Sequence, residues 1–146
     1  MSALARFFKS QGKNVAGYDK TASVLTKELE AEGILVTFQD DISEIPQQFK
    51  DSEKTLVVYT PAVPKENVQY QYFIEEQFIL KKRAEVLGLI SSNRFTLAVA
   101  GTHGKTTTTA ILAHLLKETN APVTAFLGGV SEDIQSNLIL KGDEVI

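Results

Sequence analysis

The sequence contains no cysteine. Disulfides and thiolate metal sites are thereby excluded, while the redox compartment stays open. Long hydrophobic runs are missing as well: no apolar stretch approaches the roughly 20 residues of a membrane span. The opening MSALARFFKSQGK has an early arginine but lacks the long apolar core of a secretory leader. Nor is there an excess of one charge. Fifteen basic and 18 acidic side chains leave a net charge of −3, too mild to draw the chain to nucleic acid or a membrane surface. Repeats and low-complexity segments are absent too. A cytoplasmic address is the expectation. What remains is an ordinary composition, 43% hydrophobic and 23% charged over 146 residues, suited to one globular domain or two small ones.

A βα rhythm runs through almost the whole chain. SALARFFKSQG (2–12) predicts an amphipathic helix with Leu4, Phe7 and Phe8 on one side and Gly12 as its stop. NVAGYD (14–19) predicts a short strand, and TASVLTKELEAE (21–32) a helix closed by Gly33. ILVTF (34–38) and TLVVYT (55–60) read as strands, the second ended by the PAVP turn at 61–64. A helix is expected from Lys65 to about Gln77, a short strand at FIL (78–80) and a further helix at 82–91. After the polar hinge SSNR (91–94), FTLAVA (95–100) predicts a strand, Lys105–Thr119 a helix, and PVTAFLGG (122–129) the next strand and turn. Strands alternating with helices imply a parallel sheet with helices on its faces, an α/β fold. The chain opens on a helix with no strand before it and closes on GDEVI, a strand barely begun. That pattern predicts a piece of a longer α/β protein; a natural small domain is the alternative.

The chemistry concentrates in AVAGTHGKTTTTAILAHLL (98–116). Gly104-Lys105-Thr106 at the mouth of a helix is the second half of a phosphate-binding loop. Glycine lets main-chain N–H groups converge on phosphate oxygens without a Cβ clash. The first helical turn adds unpaired N–H groups and the positive end of the helix dipole. Lys105 would neutralise β/γ-phosphate charge and the Thr106 hydroxyl would ligate Mg²⁺. Four consecutive threonines are poor helix starters by propensity. Their hydroxyls can cap free N–H groups and face an anion, so Thr107 is assigned to phosphate contact, with Thr108 and Thr109 left to packing or capping. The common loop needs glycine at position 99, where this chain has Val99; its glycine is Gly101, spaced Gly-x-x-Gly-Lys-Thr. An incidental glycine-rich turn is the competing reading.

AGTHGKTTTTAILAHLL resembles the ATP-binding loop of the Mur ligases, ATP-dependent amide-forming enzymes of peptidoglycan synthesis. SALARFFKSQGKNVAGYDK (2–20), LTKELEAEGI (25–34), VVYTPAVP (57–64) and KRAEVLGLIS (82–91) fall in the family's order. The resemblance implies a Rossmann-like uridine-nucleotide-binding domain at 1–92, lacking its first strand and glycine-rich loop, and the opening of an ATPase domain at 93–146. The acidic metal-binding stretch and the amino-acid-binding domain would lie beyond Ile146. His103 is typical of the branch that adds L-alanine to UDP-N-acetylmuramate, and of its relative that reattaches recycled peptide. By the same resemblance, the γ-phosphate of ATP activates the lactoyl carboxylate of UDP-N-acetylmuramate as an acyl phosphate, which the amine of L-alanine attacks. Phosphorylation supplies the leaving group that a carboxylate lacks, and catalysis is then charge neutralisation and alignment by Mg²⁺ and Lys105. Gly101, Thr102, His103, Gly104, Lys105, Thr106 and Thr107 would hold ATP, with Lys105 and His103 catalytic. The piece alone is expected to be inactive, and the alternatives are a nucleotide-binding module without chemistry or the related peptide-recycling ligase.

Outside the loop, Asp19 closes a strand where such folds meet ribose or a base; the resemblance puts it near the uridine, against a solvated strand-end aspartate. Thr60-Pro61-Ala62 follows a buried-type strand, where α/β sheets place ligands, against a simple proline turn. Ser2 would begin the first helix near the pyrophosphate, or be disordered as a chain-terminal residue. His114 is read as structural, Tyr70, Tyr72, Phe73 and Phe78 as core, and Lys81, Lys82 and Arg83 as a solvated helix entry. Gly128-Gly129 would allow a close backbone approach or form a bare turn. An exposed strand edge makes a homodimer plausible.

Overall fold

The computed structural model describes residues 1–131 and 136–142. By packing, the chain forms two compact units: Met1 with Val15–Leu89, and Ser2–Asn14 with Ile90–Ile146.

The first unit consists of two strand–helix–strand pairs. β1 (Ala16–Tyr18) runs parallel to β2 (Leu35–Thr37), Ala16 opposite Leu35, with α2 (Val24–Ala31) between them. A capping box starts α2: Ser23 Oγ accepts from the Thr26 amide at 3.2 Å, and the Thr26 hydroxyl accepts from the Ser23 amide at 2.9 Å. Leu29 and Ile34 bury its apolar side. β3 (Leu56–Tyr59) runs parallel to β4 (Ile79–Lys82), Leu56 opposite Ile79, with α3 (Val68–Glu75) between. The N-terminus of α3 is held from outside the helix. Asp40 accepts from the amides of Val68 and Gln69 at 2.9 and 3.1 Å, a carboxylate at the positive helix end. The buried Gln69 amide returns two bonds, to the carbonyls of Gln39 and Asp41. α4 (Arg83–Ser91) starts with Glu85 accepting from the Lys82 amide at 2.6 Å.

In the second unit β5 (Thr124–Ser131) pairs antiparallel with β6 (Ser136–Leu140), and the two faces of this hairpin carry different helices. Strand side chains alternate between faces. The paired Ala125 and Ile139, with Val123 and Leu127, pack on Ala113 of α5 (Lys105–Glu118). The paired Phe126 and Leu138 turn the other way, onto Ala3, Phe7 and Phe8 of α1 (Ser2–Ser10). Leu127 is 1% exposed, a burial that contributes about 2–3 kcal/mol. α1 therefore finds its partners in the second unit.

Four helices end alike. Beyond α1, α2, α3 and α5 a residue with positive φ (Gly12, Gly33, Gln77, Asn120) reverses the chain. The residue after it bonds back into the last turn, as in Ile34 N–H to Leu29 O at 2.9 Å and Phe78 N–H to Phe73 O at 3.0 Å.

The α/β architecture and all five helices match the sequence reading. FTLAVA does not. Only Phe95 makes a bridge, and 96–100 form no ladder among the described residues. A strand needs a neighbour's N–H and C=O groups, whatever its own pattern. Beyond that single bridge the ladder does not continue: Phe95 is 67% exposed, and Thr96 spends its hydroxyl on the carbonyls of Ser91 and Arg94. The antiparallel β6 was not anticipated, because SNLIL offers only three apolar residues in a row. The strand expected to begin at GDEVI falls on 142–146, of which 143–146 lie outside the described residues. Among the described residues no helix is long and apolar enough to cross a membrane.

Candidate functional site

The loop 101–104 leads into α5 through two glycines with positive φ, Gly101 at 156° and Gly104 at 75°. Gly104 is the residue before the first helical turn, with φ 75° and ψ 0° in the left-handed region, and it brings no side chain to cap the helix. The first main-chain bond into α5 is made by the Thr108 amide to Gly104 O, at 2.9 Å. Among the described residues, the amides of 102–107 find no acceptor. Six successive N–H groups are left open at the positive end of a 14-residue helix, on an exposed loop. Open amides at a helix N-terminus attract negative charge.

Lys105 is exposed, but its side chain folds back on the loop. Its Nζ donates back to the carbonyls of Gly101 and Thr102, at 2.6 and 3.1 Å. The ammonium thus ties the start of the loop to the start of the helix, and an arriving anion must win it from two carbonyl dipoles. The threonines divide the work. Thr109 Oγ1 donates to Lys105 O at 2.8 Å, an i to i−4 bond that consumes its hydroxyl within the helix. Thr106 and Thr107 are exposed, and their hydroxyls bond to nothing else among the described residues. A Cβ built on Gly128 would sit 3.5 Å from Thr106 Oγ1, so β5 passes directly beside that hydroxyl. His103 is exposed in the loop, and His114 is exposed on α5.

The other candidates are dispersed. Asp19 extends the pairing of β1, its amide donating to Thr37 O at 3.0 Å. Its Oδ1 accepts from the Thr21 amide at 3.1 Å, a local turn that uses one carboxylate oxygen. Thr60 is half-buried after β3, and its carbonyl accepts from the Val63 amide at 3.1 Å, making a turn with Pro61 and Ala62 at its exposed corner. Ser2 is not disordered. It is 5% exposed at the start of α1, and its Oγ accepts from Asn137 Nδ2 at 2.6 Å. Phe73 and Phe78 meet edge to face at 4.9 Å with Tyr72 alongside, a packing cluster in which Phe78 is buried. Lys81 and Lys82 close β4, and Arg83 opens α4. Asn137 and Arg6, which contact Ser2 or each other, had no role in the sequence reading: 135 residues separate Asn137 from Ser2, Asn137 lies in no motif, and Arg6 sits inside the segment 2–20 without a chemical signal of its own. No group of three His, Cys, Asp or Glu side chains able to hold a metal occurs among the described residues.

A family model described as "Mur ligase family, catalytic domain" matches residues 1–95. The chain belongs to the Mur ligase family. A UDP-N-acetylmuramate–L-alanine ligase of Christiangramia forsetii is 60% identical to it over 147 aligned positions, which cover 100% of this chain and 32% of that protein. The protein of the same name in Flavobacterium psychrophilum is 57% identical over 99% of this chain, again 32% of its own length. Among solved structures, UDP-N-acetylmuramate–alanine ligase from Thermotoga maritima superposes with a TM-score of 0.80 at 30% identity, covering 99% of this chain and 33% of that one. A ligase from Neisseria meningitides, named for UDP-N-acetylmuramate and L-alanyl-γ-D-glutamyl-meso-diaminopimelate, gives 0.82 at 27% identity, covering 96% and 43%. The chain thus spans about a third of the length of the curated relatives it matches.

Proposed function

We propose that this Mur ligase chain is the nucleotide-handling portion of an ATP-dependent ligase that joins L-alanine to UDP-N-acetylmuramate. The observation that carries the reading is the run of open amides at 102–107 beside Lys105 and Thr106. These groups fit a triphosphate. The amides and the dipole of α5 would receive phosphate oxygens, Lys105 would exchange its two carbonyls for β/γ-phosphate charge, and Thr107 would add a hydroxyl. The exposed Thr106 hydroxyl fits a place in a Mg²⁺ shell that the phosphates would otherwise fill. When bound, Mg²⁺–ATP supplies the phosphoryl group that turns a carboxylate into an electrophile. Residues 1–92, with Asp19, Thr60, Pro61, Ala62 and Ser2, would take the uridine nucleotide, and 93–146 would open the ATP-binding part. His103 stands on the exposed loop as a second candidate for a hydrogen bond to phosphate or substrate. L-alanine rather than a recycled peptide is favoured as the amine by the names of the relatives at 60% and 57% identity. A cytoplasmic address goes with nucleotide substrates.

Calorimetric titration of the chain with Mg²⁺–ATP and, separately, with UDP-N-acetylmuramate tests this. Both should bind, Lys105→Ala should weaken ATP by at least tenfold and leave the uridine nucleotide untouched, and the chain alone should show no ligase turnover. Binding of ATP alone would reduce the chain to a nucleotide-binding module without chemistry; binding of neither would overturn the reading.

A further inference from the structure

Asn137 lies on β6, 8% exposed, and links two side chains of α1 through hydrogen bonds. Arg6 Nη1 donates to Asn137 Oδ1 at 3.2 Å, and Asn137 Nδ2 donates to Ser2 Oγ at 2.6 Å. A guanidinium can only donate, so the amide oxygen must face Arg6 and the amide nitrogen must face Ser2. The direction of the series is therefore set by chemistry: cation, amide, hydroxyl. Ser2 and Arg6 stand one helical turn apart on α1, on the same side, and Asn137 bridges them from the hairpin.

The consequence falls on the Ser2 proton. With its oxygen accepting from Asn137, the hydroxyl must donate elsewhere, and no described residue accepts it. A buried hydroxyl whose proton lacks an acceptor is rare in a folded chain. Each member of the series polarises the next, so positive charge at Arg6 makes the terminal O–H a stronger donor. Such an end suits an anionic oxygen. We infer that Asn137 is a positioning residue, which with Arg6 turns the Ser2 hydroxyl into a fixed donor to a diphosphate oxygen of the uridine-nucleotide substrate. The inference rests on the proposed function for the identity of that substrate, and adds how the hydroxyl is oriented and by which residues.

Asn137→Asp is the discriminating variant. It keeps the shape and the partnership with Arg6, but a carboxylate accepts the Ser2 proton instead of donating to its oxygen, reversing the last bond. In calorimetric titrations of the 146-residue chain, Ser2→Ala and Asn137→Asp should each weaken UDP-N-acetylmuramate about tenfold, as loss of one charge-assisted hydrogen bond does. In the Ser2→Ala background the Asn137→Asp change should cost little more. Affinity for Mg²⁺–ATP, which a general loosening of the hairpin would lower, should stay within twofold. Full additivity of the two changes would mean that the introduced carboxylate acts by repulsion alone and would overturn the inference, as would unaltered binding by Asn137→Asp or an equal fall in ATP affinity. If Asn137→Asp does not fold, Arg6→Gln in the same cycle with Ser2→Ala tests the same coupling. A wild-type chain that binds ATP but no uridine nucleotide would defeat the proposed substrate itself, a result distinct from all of these.

Discussion

Gly104→Ala isolates the backbone requirement of the phosphate loop. A Cβ at this position would meet nothing closer than Thr108 Oγ1 at 3.9 Å, an ordinary contact, so sterics contribute nothing. The backbone, at φ 75°, is another matter: an L-residue there costs roughly 1–2 kcal/mol. The smaller conformational freedom of alanine in the unfolded chain returns about 0.4–1 kcal/mol, leaving a net of about 1 kcal/mol. This cost must surface in one of two places. If the free loop keeps its left-handed turn, urea denaturation will show a loss of about 1 kcal/mol, and Mg²⁺–ATP will bind as before. If the free loop relaxes, stability is spared, but the turn must be restored on binding, and affinity falls about fivefold. Gly104→Asn, whose side chain tolerates the left-handed region, should show a smaller loss of the same kind. Denaturation and calorimetry on both variants therefore measure a sum. An alanine variant unchanged in both would refute the claim that this φ value shapes the site.

Two further expectations concern the first unit. Gln77 occupies the left-handed position after α3 with φ 56°, where glycine is favoured, so Gln77→Gly should raise stability by about 0.5–1 kcal/mol in urea denaturation; a loss would contradict the helix-end geometry. The carboxyl of Asp41 is held below its ordinary value of 3.8, first by the Ser43 hydroxyl and then by the Ser43 amide. A depressed folded value stabilises the chain above the unfolded value, and that contribution disappears as pH falls from 3.8 through the lower folded value. In an NMR titration Ser43→Ala should move Asp41 back towards 3.8, and an unmoved midpoint would remove the hydroxyl from the account.

How far the sequence can be read depends on what each residue needs in order to form its structure. Helices satisfy their own main chain and announce their ends locally, as Gly12 and Gly33 do, so all five were legible. Gln77 and Asn120 terminate helices in the same way with side chains that give no such notice. The parallel strands at 16–18, 35–37, 56–59 and 79–82 were legible because helices of plain periodicity separate them. FTLAVA carried an equally good strand pattern and did not become one. The pattern reports what six residues could bury, while the ladder depends on partners elsewhere in the chain.

The same distinction separates the two halves of the candidate site. Everything the loop requires lies within seven residues: glycine for the turn, open amides, an ammonium and hydroxyls at a helix start. Local chemistry of that kind can be read from order alone, and the open amides at 102–107 are where the order places them. What the sequence could not disclose is the direction in which Lys105 points, since the carbonyls of Gly101 and Thr102 compete with any phosphate for its three protons. Nor could it disclose that Ser2 answers to Asn137. A hydroxyl's role as donor or acceptor is decided by its neighbour, and that neighbour arrives through the β5–β6 hairpin from the far end of the chain. Residue type can therefore nominate Ser2, but only the fold can assign its proton.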